Sequence, residues 1–470
     1  MSGLVGEVNE NIQVKNGQEK YDVKLGIREW KRYPEYKDSR VEWIGEIPKE
    51  WKTNKLSRSF GIIGSGTTPN TSRIEYYDGD IPWVNTGELR DGDIYQTAKK
   101  ITKKATLDHS ALKLYSSGTL LIALYGATIG KLGILNIEAT VNQACCALSQ
   151  EISLDTKFAF YWFLASRQHI IALSYGGGQP NISQDIIKQL KIHAPDIPEQ
   201  KQIATFLDHE TSKIDTLIEK KQRLIELLEE KRSALISHAV TKGLDPHVKT
   251  KDSEVEWIGE IPYQWDVSKL GAKCSIKARI GWKGLKASEY VEEGYIFLST
   301  PNIKNKDIDF NNINFISEER YLESPEIMLK VGDVLIAKDG STLGITNIVR
   351  YLPDKATVNS SIAVIRPFKN CNSIYLNYFL QSSYTQNVIQ RMKGGMGVPH
   401  LFQADLRNFT ILCPPLSEQR HIANFLDRET EKIDTFINKI SAQIEKLKEY
   451  RTALISAAVT GKIDVREEVA

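Results

Sequence analysis

The sequence predicts a mixed α/β protein: two globular α/β domains joined by two long helices that pair as an antiparallel coiled coil, with an internal pseudo-two-fold repeat. Three observations predict it. Residues 37–51 read KDSRVEWIGEIPKEW, and residues 251–265 read KDSEVEWIGEIPYQW. Residues 199–243 align without a gap to residues 418–462, with 27 of 45 positions identical. The stretches between these phrases share little. Small tandem repeats recur every few tens of residues, so a period above two hundred means that a domain-sized unit was doubled.

Taken in order, residues 1–35 read as a flexible N-terminal tail with no apolar signal core. Residues 36–198 form a first domain, 199–243 a central helix, 244–417 a second domain, 418–462 a distal helix and 463–470 a C-terminal tail. Both domains mix short β-rich runs (GTLLIALYG, GDVLIAKDG, YIFLST) with Gly, Pro and Asn turns and a helical piece before the closing segment. A common plan survives where SGTLLIALYGATIG (117–130) resembles VGDVLIAKDGSTLG (331–344).

Pro198 and Ser417 are matching helix-start signals. Leu207, Ile214, Leu217, Leu224, Leu228 and Leu235 step by threes and fours or their multiples, as do Leu426, Ile433, Phe436, Ile440, Leu447, Tyr450 and Leu454. Such a stripe is a coiled-coil seam or a core-facing surface. Two matching stripes favour the seam, since each offers the other a partner, and a two-fold relation makes the pair antiparallel. The four tryptophans Trp43, Trp51, Trp257 and Trp265 belong either to a partner dock or to the joint between domain and helix.

The frame repeats while the inserts diverge, so the frame holds one kind of thing twice and the inserts touch two different things. Matching residues in ETxKIDT extend to exposed-looking positions, which packing alone does not require. Net charge is +2 overall, but residues 52–198 carry +3 and residues 266–417 carry +4. Lys99, Lys100, Lys103 and Lys104 cluster in AKKITKK, and KCSIKARIGWKGLK carries five basic residues around Trp282. Such clusters suit phosphate contact with stacking, although a charge run is often only a solvated face. The loops YGGGQPNIS (175–183) and KGGMGVPHLF (393–402) permit close backbone approach to a ligand or are simply flexible turns.

Enzyme chemistry is missing from the pattern. LYGATIGKL has three residues between its glycines where a phosphate loop needs four, and reads as strand-turn-strand. PDIPEQK imitates a nuclease motif, but its copy PPLSEQR lacks the Asp. There is no zinc spacing, no glycine fingerprint for S-adenosylmethionine and no Asn-Pro-Pro-aromatic step. Five scattered cysteines without C-x-x-C fit a reducing cytoplasm, and no run is long enough to span a bilayer. The chain reads as a soluble, cytoplasmic binding protein.

GSGTTPNTSRIEYYDGDIPWVNTGEL (64–89), LIAKDGSTLG (335–344) and above all PDIPEQKQIATFLD (195–208) with PPLSEQRHIANFLD (414–427) carry a family likeness. The layout resembles the specificity subunit of Type I DNA restriction-modification systems, over nearly everything after residue 35. The resemblance implies two target recognition domains, each reading half of an asymmetric bipartite duplex, with the helices as spacer. It implies docking of two methyltransferase subunits, which carry S-adenosylmethionine, and then of endonuclease subunits that use ATP and Mg. The chain itself would hold no cofactor, no metal and no catalytic residue.

Carried over, DNA-facing candidates are Thr67, Thr68, Arg73, Tyr76, Tyr77, Lys99, Lys100 and Gln179 in the first half. In the second they are Arg279, Trp282, Lys283, Lys338, Ser341, Lys393 and His400. Methyltransferase-facing candidates are Glu210, Lys213 and Asp215, with Glu429, Lys432 and Asp434. The rival reading is a non-enzymatic coiled-coil scaffold whose domains grip proteins or glycans; it expects no preference for duplex DNA.

Overall fold

The computed structural model describes residues 22–25, 28–174, 181–279, 285–304, 306–392 and 400–468. The chain divides into two compact units, Met1–Lys221 with Ala442–Ala470, and Gln222–Ser441. Both divisions fall inside long helices rather than in linkers, so each unit contains parts of both.

In the first unit β1 (Phe60–Ser65), β2 (Tyr77–Val84), β3 (Gly92–Ile94), β4 (Lys100–Ile101), β5 (Leu120–Ala123), β6 (Leu132–Leu135), β7 (Thr140–Val141) and β8 (Cys145–Glu151) build two sheets. Their orders are β1-β8-β5-β6-β3 and β7-β2-β4. Helix α1 (Thr156–Ala172) follows, capped by Asp155, whose carboxylate accepts from Phe158 N. Then comes α2 (Ile197–Lys242), the central repeated helix.

The second unit holds β9 (Cys274–Ala278), β10 (Tyr295–Leu298), β11 (Asn314–Ile316), β12 (Val334–Ala337), β13 (Thr346–Ile348), β14 (Ala356–Val358) and β15 (Ile362–Pro367). The orders are β9-β15-β12-β13 and β11-β10-β14, the first unit's pattern without β3. Helix α3 (Ser373–Gln381) takes the place of α1, and α4 (Leu416–Val459) is the distal repeated helix. The common plan therefore runs through both inserts, well beyond the short phrases that show it in sequence.

The uniformly apolar LLIA and VLIA strands are explained by cores on both faces. Leu120 and Ile122 join the cluster against α1, while Leu121 and Ala123 join the cluster on the other side. Val334 and Ile336 separate from Leu335 and Ala337 in the same way. Strand periodicity of two distributes the run between two cores.

Each core is closed by both repeated helices. The first takes Ile203, Phe206 and Leu207 from α2, and Leu454, Ile455, Ala458 and Val459 from α4. The second takes Ile236, Ala239 and Val240 from α2, and Ile422, Ala423 and Leu426 from α4. The Trp-containing phrases are the joints. Trp51 donates to Glu199, near the start of α2, at 3.3 Å, and faces Gly461 beyond the end of α4. Trp265 faces Gly243, beyond the end of α2. Both glycines have positive φ, +69° at Gly461 and +78° at Gly243, which ends each helix as a C-cap. Lys242 bonds the Glu260 carbonyl and Lys462 the matching Glu46 carbonyl, although Gly and Lys are transposed between TKG and TGK.

Two boundaries differ from expectation. Trp30 is buried in the first core and Tyr33 donates to Glu199 at 2.7 Å, so the ordered domain begins before residue 36. Ile463 and Val465 are fully buried and Asp464 N donates to Lys31 O at 2.8 Å. Side chains at both expected tails supply apolar surface that the core covers.

The helices pair antiparallel within each unit. Arg451 donates to Asp215 at 2.9 and 3.1 Å and Lys221 to Gln443 at 2.6 Å in the first; Arg232 meets Asp434 at 3.3 Å in the second. Ile214, Ile433, Ile440 and Ile444 are buried, but Leu217, Leu224 and Phe436 of the expected seam are exposed. A straight helix drifts about 20° per heptad against a strict seven-residue repeat, which carries part of the stripe off the contact.

Trp265→Ala, at a fully buried joint, should cost about 3–5 kcal/mol. Trp257→Ala, at a 54% exposed position, should cost under about 1 kcal/mol. Urea midpoints of the two variants test this; equal losses would remove the joint from Trp265.

Candidate functional site

The repeated residues divide by what they touch. Gln200 accepts from Asp155 N at 2.8 Å and donates to Ser153 O and Pro195 O. Gln419 makes the same three bonds, with Asn372 N, Asn370 O and Pro414 O. The Gln of each EQ thus ties the start of a repeated helix to the loop ahead of α1 or α3. Tyr161 on α1 bonds Asp208 and Thr211, and Tyr378 on α3 bonds Asp427 and Thr430. Burial raises the pKa of both tyrosines above the ordinary phenol range.

These contacts correct one inference from sequence. Packing does require much of ETxKIDT, because its first threonine is buried (Thr211, Thr430) and its aspartate meets an arginine of the opposite helix (Asp215, Asp434). Glu210–Lys213 and Glu429–Lys432 remain on the surface as matching pairs at 2.9 and 2.8 Å, with both lysines more than half exposed. Lys432 and Arg428 hold the Glu429 carboxyl below its usual pKa.

On the inserts, the strongest correspondence lies at the two glycine turns. After β5 a turn at Gly126–Thr128 leads into β6, and after β12 a turn at Gly340–Thr342 leads toward β13, the expected strand-turn-strand. Ile182 N donates to Leu124 O at 2.8 Å, and Leu401 N to Lys338 O at 2.9 Å. Tyr125 bridges Asn181, and Asp339 bridges His400, so the residues after each glycine-rich loop are anchored beside the turn. The backbone is the same twice, but the side chains are Tyr and Asn in one unit and Asp and His in the other.

Around the second turn, Lys338, Ser341 and His400 come together. His400 Nδ1 contacts the Asp339 carboxylate, and Ser341 is exposed. Lys338 is only 7% exposed, and burial holds its pKa below the ordinary lysine value. Sequence reasoning missed Tyr125 and Asn181; the pairing of YGATIG with DGSTLG was the signal that could have found them.

The remaining candidates are mixed. Lys99 and Lys100 are exposed and form no ion pair among the described residues. Thr67 is half-buried with its carbonyl accepting from Trp83, and Thr68 bonds Gln143. Arg73 is held by Glu75 and Tyr76, and Tyr77 donates to Pro69 O at 2.6 Å. Tyr76 is 3% exposed and bonds Asp108, which places it in the packing rather than on a DNA-facing surface. Arg279 is corrected likewise: at 3% exposure it donates to Ser324 at 3.2 Å and lies over Phe297. The in-out alternation of β9, which buries Ala278 and exposes Lys277, gives way at Arg279, which Ser324, Val358 and Phe297 surround. Gln179, Trp282, Lys283 and Lys393 lie outside the described residues.

The profile of the Type I restriction modification DNA specificity domain matches residues 48–228 and again 262–446. The chain belongs to this family. The two matches fall on the two inserts with their helices, so the family's domain is present twice. The MjaVIII specificity subunit of Methanocaldococcus jannaschii, a Type I restriction enzyme component, is 26% identical over 425 residues, 89% of this chain and 94% of the relative. A chain solved in work on assembly and conformational transition of the type I R-M system superposes with TM-score 0.69 at 16% identity, covering 88% of this chain and 98% of its own. The HsdS subunit from Thermoanaerobacter tengcongensis gives 0.51 at 17%, covering 89% and 98%. This specificity subunit has, among its described residues, no helix long and apolar enough to cross a membrane.

Lys338 yields a test with opposite signs. With its folded-state pKa lowered, the unfolded chain binds that proton more tightly, so the buried ammonium costs stability at neutral pH and the cost fades as pH rises past that pKa. Lys338→Met should therefore melt higher at pH 7, with the difference shrinking as the pH rises toward the ordinary lysine value of about 10. The same variant should lose affinity for target duplex and reduce the salt slope by about one. Unchanged salt dependence would remove Lys338 from the interface.

Proposed function

We propose that each domain of this specificity subunit reads one half of an asymmetric bipartite duplex, through the face that carries its glycine turn. The observation that carries this reading is the doubled bridge, Tyr125–Asn181 and Asp339–His400, which presents different groups from one backbone geometry. Asn can pair with adenine edges, while Lys99 and Lys100, both exposed, contact phosphates and so position the duplex. The two helices, about 69 and 66 Å long from their 46 and 44 residues, act as the ruler that sets the unread spacer.

The matching surfaces at Glu210–Lys213 and Glu429–Lys432 dock two copies of one methyltransferase subunit, to which S-adenosylmethionine and the catalysis belong. Endonuclease subunits using ATP and Mg complete the assembly, which works in the cytoplasm. The chain itself is non-catalytic.

A map of N6-methyladenine in a host expressing this chain with its methyltransferase should show one bipartite, asymmetric motif that disappears when the gene is deleted. Methyl transfer by the purified chain alone would contradict the non-catalytic reading.

Exchanging Asp339 and His400 for Tyr and Asn should change one half of that motif and leave the other intact. Inserting one helical turn, about four residues, in both helices should lengthen the spacer with both half-sites unchanged. Altered half-sites after the insertion would overturn the ruler.

A further inference from the structure

Within the second unit, the domain and its helices enclose a polar cleft of about 1310 Å³. Its walls include Asn377 and Gln381 of α3, Thr346 of β13 and Asp434 of α4. Asn377 and Gln381 stand one helical turn apart and so share a face, and α3 packs on β13. Asn377 is 5% exposed and Thr346 8%. Asn377 Oδ1, Thr346 Oγ1 and Gln381 Oε1 have no hydrogen-bond partner among the described residues. Buried polar atoms are ordinarily paired, so three on one cleft wall need an explanation.

The duplicate unit provides the comparison. Tyr161 and Tyr378 make the same bonds, and Gly130 and Gly344 close the same turn with matching positive φ. Counting from those anchors, Phe160, Leu164 and Leu132 occupy the places of Asn377, Gln381 and Thr346. All three lie in or against the apolar core of the first unit. The fold thus accepts apolar side chains at these positions, and the polar set is particular to the second unit.

All three unpartnered atoms are oxygens able to accept. Beyond them, Asp434 is shared loosely between Arg232 at 3.3 Å and Lys306 at 3.6 Å. Asp434 Oδ2 also lacks a hydrogen bond and Arg232 Nε is an unpartnered donor on the same walls, so among the described residues unpartnered acceptors outnumber unpartnered donors there four to one. We infer that this cleft binds a guanidinium group, an arginine side chain presented by the protein partner that docks on the helices. Arginine offers five donors and no acceptor in a planar fork, and it stays charged beside a carboxylate. Asp427, Thr430 and Asp434 of α4 line the cleft, on the helix that carries Glu429 and Lys432 but on its other face, so the partner reaches it around the edge of that helix. The inference rests on the proposed docking of two methyltransferase copies. It adds that only one copy has its arginine held, which makes two otherwise matching docks unequal.

The first experiment titrates the full-length chain with N-acetyl-arginine amide, with the citrulline and lysine analogues alongside, by ligand-observed NMR. Arginine should bind, with citrulline at least about tenfold weaker. Thr346→Leu, Asn377→Phe and Gln381→Leu together should abolish binding. Because that triple change can disturb folding, Asn377→Asp with Gln381→Glu forms the second arm and should tighten arginine binding several-fold. Citrulline binding equal to arginine, absence of arginine binding, or indifference to the acidic pair would each overturn the inference. Native mass spectrometry with the methyltransferase separates the two layers. Wild type should hold two copies, and the triple variant should hold the second about tenfold more weakly. Failure to hold any copy refutes the docking reading itself, whereas two copies held equally by both chains refutes only the arginine site.

Discussion

The rest of the structure depends on one constraint: neither domain can close its core without both repeated helices. Trp51 sits between Glu199, at the start of one helix, and Gly461, past the end of the other. Trp265 sits by Gly243, with Glu418 also beside that glycine. Each joint needs the start of one helix and the end of the other at one place, which only antiparallel pairing provides. The lengths of the two helices are then tied to each other, 46 and 44 residues, and neither can change alone without opening a core. Burial of whole indole rings at those joints is among the larger single contributions available to a protein interior.

That constraint explains which parts of the repeat were legible in sequence. Positions fixed by the joint and by the helix pair recur: the Trp phrases with three changes in fifteen, and the Gln of EQ, the Asp of FLD and the Asp and Arg that cross between helices unchanged. Their near-identity showed the two-domain, two-helix plan directly. The common sheet order of the inserts was mostly hidden, because a strand buried on both faces needs only apolar residues, and many sequences supply those. LLIA and VLIA show the plan; CCALSQE and IAVIRP, equivalent strands, do not.

The site was less legible, for a physical reason that can be named at particular residues. A basic or aromatic side chain in a loop-rich segment looks exposed in sequence, but whether it turns in or out is decided by tertiary neighbours. Arg279 turns in because Ser324, Val358 and Phe297 surround it. Tyr76 turns in because Asp108 receives its hydroxyl. Exposed-looking Asp215 and Asp434 are taken by arginines more than two hundred residues away, a pairing that no local window contains. In the same way, the expected tails belong to a core that only the returning chain end completes.

Comparison between the two units also identifies where stability has been given up. At the glycine turn the first unit has Leu124, which is buried and apolar, and the second has Lys338 at the same backbone position, buried with its charge disfavoured. The fold accommodates leucine there, so nothing in the architecture asks for lysine. A buried ammonium beside a single carboxylate is destabilising unless something anionic arrives to meet it. Violations of local rules concentrate where a ligand completes the structure. Lys338 stands next to the Asp339–His400 bridge, on the same turn as exposed Ser341, where a phosphate backbone would supply that anion. Two units with one backbone, one satisfied and one left wanting a negative charge, are what a protein needs to meet the two halves of an asymmetric duplex differently.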